Sequence, residues 1–488
     1  MTLKQKTASG LLWSFVDNFA NLSIQFVVGI ILARILLPHD FGLVGILTFF
    51  IAISQSLVDG GFPQALIRKE RCTQTDYSTV FFFNLAAGLF ASLTLYLSAP
   101  TISQLFEEPT LEPLLRVFSI VPIIRSLTAI QETQLIKKVN FKLQARISII
   151  ASTTSGIGAV AMAYNNFGVW SLVALQLNKQ LVNSLLLWSW NRWLPSFTFS
   201  RDSFKELFDF GSKLLASSII SSAYQNIQFI VIGKFFSISE LGYYTRAIQF
   251  RNLPAQNITT VIQRVTYPIL SSIQSDIPQL RVTYQKLIRC TVFITFTLVI
   301  GMASLAESLI TTLIGEKWLP AVIYLQMLCF IGMFYPLHAL NLNILKTRGR
   351  SDLFLKLEII KKLLATVPLG IGIAFGIKAM IGGMMINTLI SYYLNSQWSG
   401  RLINYPIYQQ IRDIVPSFTL ACSMGIVVHI AGLASPTNGF WTLLAQMSLG
   451  ASSIIAYCEL TRFSDYIEIK NLVLERLKPS TIFKNEKP

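Results

Sequence analysis

The sequence predicts an all-α integral membrane protein of about fourteen transmembrane helices, and three observations carry that reading. Charged residues make up 13% of the 488 residues and hydrophobic ones 52%, with a mean hydropathy of +0.54; a soluble domain carries about 25% charged residues. The apolar residues are gathered in stretches of about 20, the length a helix needs to cross a hydrocarbon core of ~30 Å. Cations between these stretches crowd one side of the resulting topology. Runs this continuous are helical, not the short alternating segments of a barrel.

In chain order the expected spans are 9–33, 41–58, 77–98, 111–135, 143–164, 168–190, 205–233, 241–265, 286–306, 320–345, 354–376, 379–400, 411–431 and 439–459. The first follows Lys4 and Lys6, is too long for a signal-peptide core and lacks a small-x-small cleavage site, so it is expected to stay as a spanning helix. Connections are short, which leaves no room for a sizeable soluble domain. With the N-terminus in the cytoplasm, the inner segments hold Arg68, Lys69 and Arg71, then Lys137, Lys138 and Lys142, and later Lys346, Arg348 and Arg350. The outer segments hold only Arg34, Lys234, Lys317 and Lys378. A miscounted helix would invert everything downstream and erase this bias, so both termini are expected inside. The tryptophans fall near span ends, as an interfacial belt does, and the basic tail is expected to be a solvated end, with contact along the anionic inner leaflet as the alternative.

The chain resembles itself. Arg34-Ile-Leu-Leu-Pro-His-Asp40-Phe-Gly42 aligns with Lys234-Phe-Phe-Ser-Ile-Ser-Glu240-Leu-Gly242, with base, acid and glycine in register, and Ile24-Gln25-Phe26 answers to Ile227-Gln228-Phe229 upstream. Six spans separate the copies, so both have the same orientation and the repeat is parallel. The expected organisation is an N-terminal six-helix lobe at 1–200, a second at 201–400, two further helices at 401–461 and a basic cytoplasmic tail at 462–488.

Several function classes are excluded. The net charge of +16 is spread through membrane loops with no separable basic face, so nucleic acid is not the partner. Five scattered cysteines form no CxxC pair, and no metal-spacing, HExxH, GxSxG or Walker pattern is present. No catalytic residue, metal or cofactor is expected, and His338 reads as a hydrogen-bonded packing residue.

The informative residues are cations inside the spans. An Arg or Lys at a helix centre costs about 2.5–3.5 kcal/mol and faces protein or water, not lipid. Arg125, Lys179 and Arg251 fall near the midplane, Lys213 in the inner half and Arg246 in the outer half. Asp209 is one turn from Lys213 and offers a pairing partner, whereas Glu132 is seven residues from Arg125, a separation that calls for a bridging group. Helix 1 adds a polar stripe of Asp17, Asn21 and Gln25; Asp17 is the candidate for ion coupling, with capping of that stripe as its structural alternative. The surplus is cationic, and a cationic cavity suits an anionic cargo such as a lipid pyrophosphate with sugars in a watery lumen.

These motifs resemble the polysaccharide-export flippases of the multidrug/oligosaccharidyl-lipid/polysaccharide superfamily. The residues concerned are Gly10-Leu-Leu-Trp13, Leu32-Ala-Arg34 through Gly42, Asp59-Gly-Gly-Phe62-Pro-Gln-Ala-Leu-Ile67, Phe167-Gly-Val-Trp170-Ser-Leu172 and Leu241-Gly-Tyr-Tyr244-x-Arg246-Ala247. The resemblance implies movement of an undecaprenyl-pyrophosphate-linked glycan between leaflets of the bacterial inner membrane, by alternating access around a cationic lumen. It also implies contact with membrane lipids, a lipid portal between helices 1 and 8, and a link to the polysaccharide polymerase machinery. Two other readings stay open: a cation-coupled multidrug or metabolite exporter of the same superfamily, which would favour acidic binding residues, and a membrane polymerase or ligase, which would need a large outer loop.

Overall fold

A chain lacking alternating apolar segments satisfies its backbone in lipid only through helices. The computed structural model describes residues 3–434 and 439–477, and every regular element among them is helical. The chain divides into two compact units, Met1–Thr245 and Arg246–Pro488. The first holds α1 (Leu3–Ile35), α2 (Pro38–Asp59), α3 (Phe62–Arg68), α4 (Gln74–Phe106), α5 (Leu111–Phe118), α6 (Ile120–Lys137), α7 (Phe141–Tyr164), α8 (Trp170–Asn191), α9 (Arg201–Phe235) and the first turns of α10 (Ile238–Ser272). The second holds the rest of α10, α11 (Ile277–Ser304), α12 (Ala306–Ile314), α13 (Pro320–Met333), α14 (Tyr335–Thr347), α15 (Ser351–Leu364), α16 (Thr366–Phe375), α17 (Ile377–Leu402), α18 (Ile407–Leu433), α19 (Phe440–Thr461) and α20 (Ser464–Leu477).

Each expected span falls on one helix or on two helices meeting end to end. By length and composition, 10 helical segments among the described residues are apolar enough to cross a membrane. The expected spans outside that set are α8, α10, the α15–α16 pair and α17, which carry polar or charged residues such as Lys179, Arg246, Lys361 and Asn395.

In the first unit α1 packs chiefly on α7, α7 on α8, α4 on α6 and α2 on α9. The Asp59-Gly-Gly-Phe62 motif is the sharp turn between α2 and α3. Gly61 takes φ 104°, and a Cβ there would stand 2.2 Å from the Gly211 carbonyl oxygen. The turn drives Phe62 into a core with Leu66, Val80, Phe81, Ile130 and Leu207. Just beyond, Thr73 and Asp76 form a capping box at the start of α4. Asp76 is 2% exposed and lies 3.1 Å from Lys69 Nζ, which also reaches Glu206 at 2.9 Å. Donation to Glu206, then to Asp76, outweighs burial and holds the Lys69 ammonium above its ordinary range. Asp76→Ala removes both cap and ion pair and is expected to cost about 2 kcal/mol. Asp76→Asn keeps the cap and is expected to cost less. Thermal unfolding of the purified chain checks this, and equal melting temperatures for the two variants would refute it.

The two copies of the repeat meet within this unit. Arg34 and Lys234 lie in the last turns of α1 and α9, while Asp40 and Glu240 lie in the first turns of α2 and α10, each charge matched to its helix end. The Asp40 carboxylate also accepts the Leu37 N–H at 2.9 Å. The glycines then bring α2 and α10 together reciprocally. A Cβ on Gly42 would stand 1.8 Å from the Ile238 carbonyl oxygen, and one on Gly242 would stand 1.9 Å from that of Pro38. Each copy therefore uses its missing side chain to admit the other's backbone.

In the second unit α11 packs on α18 and α13, α16 on α17, and α18 on α19. Two expectations change here. Trp318, placed by the sequence in an interfacial belt, is 0% exposed. The tail, expected as a solvated end, begins with Phe463 and α20, which dock Phe463, Tyr466 and Ile469 around Phe293, Met424 and Cys458. A Lys286–Glu468 ion pair of 3.2 Å holds the same helix. The apolar face of α20 wins over its net charge. Residues 478–488 of the tail lie outside the described residues.

Candidate functional site

In the first unit two of the expected residues, Arg125 and Asp17, each stand in a polar cluster. Arg125 of α6 donates from Nε to Asp59, at the end of α2, at 2.9 Å, and its Nη1 lies 2.8 Å from Glu132 Oε2. Glu132 thus pairs directly with Arg125, against the expectation that seven residues need a bridge. Two turns of helix separate the Cα atoms by about 10 Å, and the two long side chains bend toward each other and close that gap. Glu132 also accepts from Asn183 of α8 at 3.1 Å, and Asn183 is one turn from Lys179. Lys179 lies within electrostatic range of Asp17 of α1. Asn21 donates to Asp17 at 2.6 Å and to Ser148 of α7 at 2.7 Å, and accepts from Ser152.

The sign of these clusters differs from the sequence expectation. Asp17, Asp59 and Glu132 face Arg125 and Lys179, so carboxylates outnumber cations. The sequence count treats Asp59 as part of a turn motif, and only the α2–α6 packing shows it pointing at Arg125. Lys213 of α9 stands apart and is exposed, and it makes no ion pair with Asp209 despite the one-turn spacing. Short i,i+4 partners on an exposed face gain only a few tenths of a kcal/mol, roughly 0.2–0.5.

In the second unit Arg246 and Arg251 both project from α10 into protein, at 5% and 8% exposure. Arg246 Nη1 lies 2.5 Å from Gln249 Oε1, and its guanidinium stands over the Trp318 ring at 5.8 Å. Arg251 donates from Nη2 to Asn252 at 2.7 Å and lies over the Tyr335 ring at 5.0 Å, its stem passing 3.0 Å from where a Cβ on Gly332 would be. The neutral amide and the aromatic face hold the Arg251 guanidinium in place while leaving its charge uncancelled. His338 bonds Asn395 through Nδ1 at 3.1 Å, as a packing histidine should. Among the described residues no cluster of His, Cys, Asp and Glu is arranged to hold a metal.

Residues 31–323 match the family model described as polysaccharide biosynthesis protein. The chain is 27% identical over 457 residues to the teichuronic acid biosynthesis protein TuaB of Bacillus subtilis, covering 92% of this chain and 93% of that one. It is 26% identical over 443 residues to the lipopolysaccharide biosynthesis protein WzxC of Escherichia coli, covering 86% and 88%. Its fold is similar to the lipid II flippase MurJ in an inward closed conformation, with TM-score 0.74, 16% identity and coverage of 94% and 100%. It is also similar to a multidrug resistance MATE family transporter of the MOP superfamily, with TM-score 0.63, 15% identity and coverage of 80% and 98%.

Proposed function

Since the chain belongs to the polysaccharide biosynthesis protein family, we propose that it flips undecaprenyl-pyrophosphate-linked oligosaccharide units from the cytoplasmic to the periplasmic leaflet of the bacterial inner membrane. The units would feed O-antigen, capsule or exopolysaccharide assembly, with the polymerase machinery as the receiving partner. Relatives named for teichuronic acid and lipopolysaccharide biosynthesis, matched over most of their length, support the cargo class. The observation on this chain that carries the reading is Arg251, buried on a membrane helix among neutral partners. A cation so placed costs energy without a partner of opposite sign, and a pyrophosphate supplies one.

In this reading fourteen spans, with both termini in the cytoplasm, form lobes at 1–200 and 201–400. These alternate access about a lumen to which Lys179, Lys213, Arg246 and Arg251 lend positive charge. Arg125 contributes through the carboxylates it holds, and Asp17 is the candidate coupling group for a driving cation. The acid excess around Asp17 favours a second reading, a cation-coupled exporter of multidrug or metabolite cargo.

Reconstituted flipping of a lipid-linked oligosaccharide tests the proposal. Arg251→Ala with Lys179→Ala is expected to slow flipping at least about tenfold, the loss of roughly one charge-assisted contact, with Arg251→Lys intermediate. Undiminished flipping by the double variant would overturn the cationic lumen, and export of a cationic dye in place of the glycan would favour the second reading.

A further inference from the structure

The chain between α8 and α9 dips along the first unit at the level of the expected membrane boundary. Gln74, ahead of the expected span 77–98, donates to the Leu194 carbonyl at 2.7 Å. Ser78 accepts the Ser196 N–H at 2.9 Å, and Thr79 accepts the Ser200 N–H at 3.1 Å. Between those two anchors the Phe197 ring stands 6.0 Å from that of Phe82, a residue five positions, about 7.5 Å, inside the span. Non-helical backbone at such depth persists only where protein supplies its partners, and α4 supplies them in step with the dip. Phe197 is nonetheless 98% exposed, with Leu194 and Phe199 exposed on either side. Phe82 opens an apolar stripe of α4 that continues, exposed, through Ala86, Phe90, Leu93 and Leu97. That stripe marks this side of the helix as the one turned to lipid.

We propose that the segment 192–200 is an interfacial anchor that binds anionic phospholipid of the leaflet beside it, a contact independent of the cargo. The ridge of Leu194, Phe197 and Phe199 reaches the boundary between headgroups and acyl chains, where large apolar side chains meet lipid and not water. Arg192 and Arg201 stand exposed at its two ends, and no acid lies between them. The first turns of α9 add Asp202 and Lys205, which offset each other in charge, and Glu206 is paired with Lys69 at 2.9 Å. A cation at each end of an apolar ridge matches a phosphodiester headgroup with its chains below. The backbone is fixed in advance, by α4 and by Gln131, which donates to the Trp193 carbonyl at 2.9 Å. Little freedom is therefore lost when lipid binds.

The test uses the full chain in nanodiscs of equimolar phosphatidylglycerol and phosphatidylcholine. Photoreactive benzoylphenylalanine replaces Phe197, whose exposure leaves the core undisturbed, or, as control, Glu70 in the exposed turn between α3 and α4. Irradiation is expected to attach lipid to the peptide carrying position 197 and not to the one carrying position 70. Phosphatidylglycerol adducts at 197 are expected to outnumber phosphatidylcholine adducts about tenfold, the combined preference of two arginines near an anionic surface. Arg192→Gln with Arg201→Gln is expected to bring that ratio near one while lipid still attaches. Equal adducts of the two lipids with both arginines present would overturn the choice of an anionic phospholipid. Equal attachment at 70 and 197 would overturn the dip into the boundary. No lipid on position 197 would overturn the anchor and leave the ridge as a surface for a protein.

Discussion

Gly242→Ala is expected to lower the stability of the purified chain by about 1–3 kcal/mol, the range for forcing atoms into a filled contact. The obstacle is the Pro38 carbonyl, 1.9 Å from the new methyl group, and backbone does not rotate aside as a side chain end would. Gly42→Ala acts on the same contact from the other helix, through the Ile238 carbonyl at 1.8 Å. The two changes share one seam, so the double variant should cost less than the sum of the singles. Gly382 in α17 supplies the contrast, since a Cβ there meets nothing within 4 Å. Gly382→Ala should gain roughly 0.5–1 kcal/mol from the reduced freedom of the unfolded chain. Thermal unfolding of the four proteins decides the matter. Gly242→Ala melting level with Gly382→Ala would mean that the seam is looser than the reciprocal contacts require.

Arg125→Met should cost about 3 kcal/mol, because it leaves Asp59 and Glu132 facing a site from which their shared cation has gone. The cost belongs to the stranded carboxylates, not to the lost arginine. The triple variant Arg125→Met, Asp59→Asn, Glu132→Gln should therefore recover most of it. Flipping by the triple variant separates two roles. If it melts near the wild type and still flips glycan, Arg125 serves the fold of the first unit and not the cargo. A single variant as stable as the wild type would show that the pairing contributes nothing.

Spans were legible from the sequence because the bilayer imposes a length and an apolar content that composition records directly. Even α8 and α10, whose polar residues weaken the signal, fall where the alternation of loop charge requires them. What the sequence left out depends on distance across the fold. Asp59 is indistinguishable from any turn aspartate until α2 packs on α6 and aims it at Arg125. Trp318 sits at a helix boundary in sequence, yet it is buried with its ring under the Arg246 guanidinium. The short helix α3 covers too few residues for periodicity to show, and only its Gly-Gly turn marks it. In α20 a high charge content masked an apolar face of Tyr466 and Ile469, which with the preceding Phe463 packs on residues of α11 and α18. Of the candidate site, the buried arginines of α10 were legible as expensive membrane charges, whereas the pair of carboxylates around Arg125 was not, since one of them comes from another helix.

The reciprocal fit of Gly42 and Gly242 also bears on how two halves of a repeated chain drift apart. Where a residue of one half meets only its own half, matching positions can change independently. At this crossing a residue that acquires bulk displaces the opposite copy's main chain, so a change in one is felt at once as a defect in the other. Two short stretches, each ending in a glycine, are what such mutual constraint leaves readable after the surrounding sequence has lost its likeness.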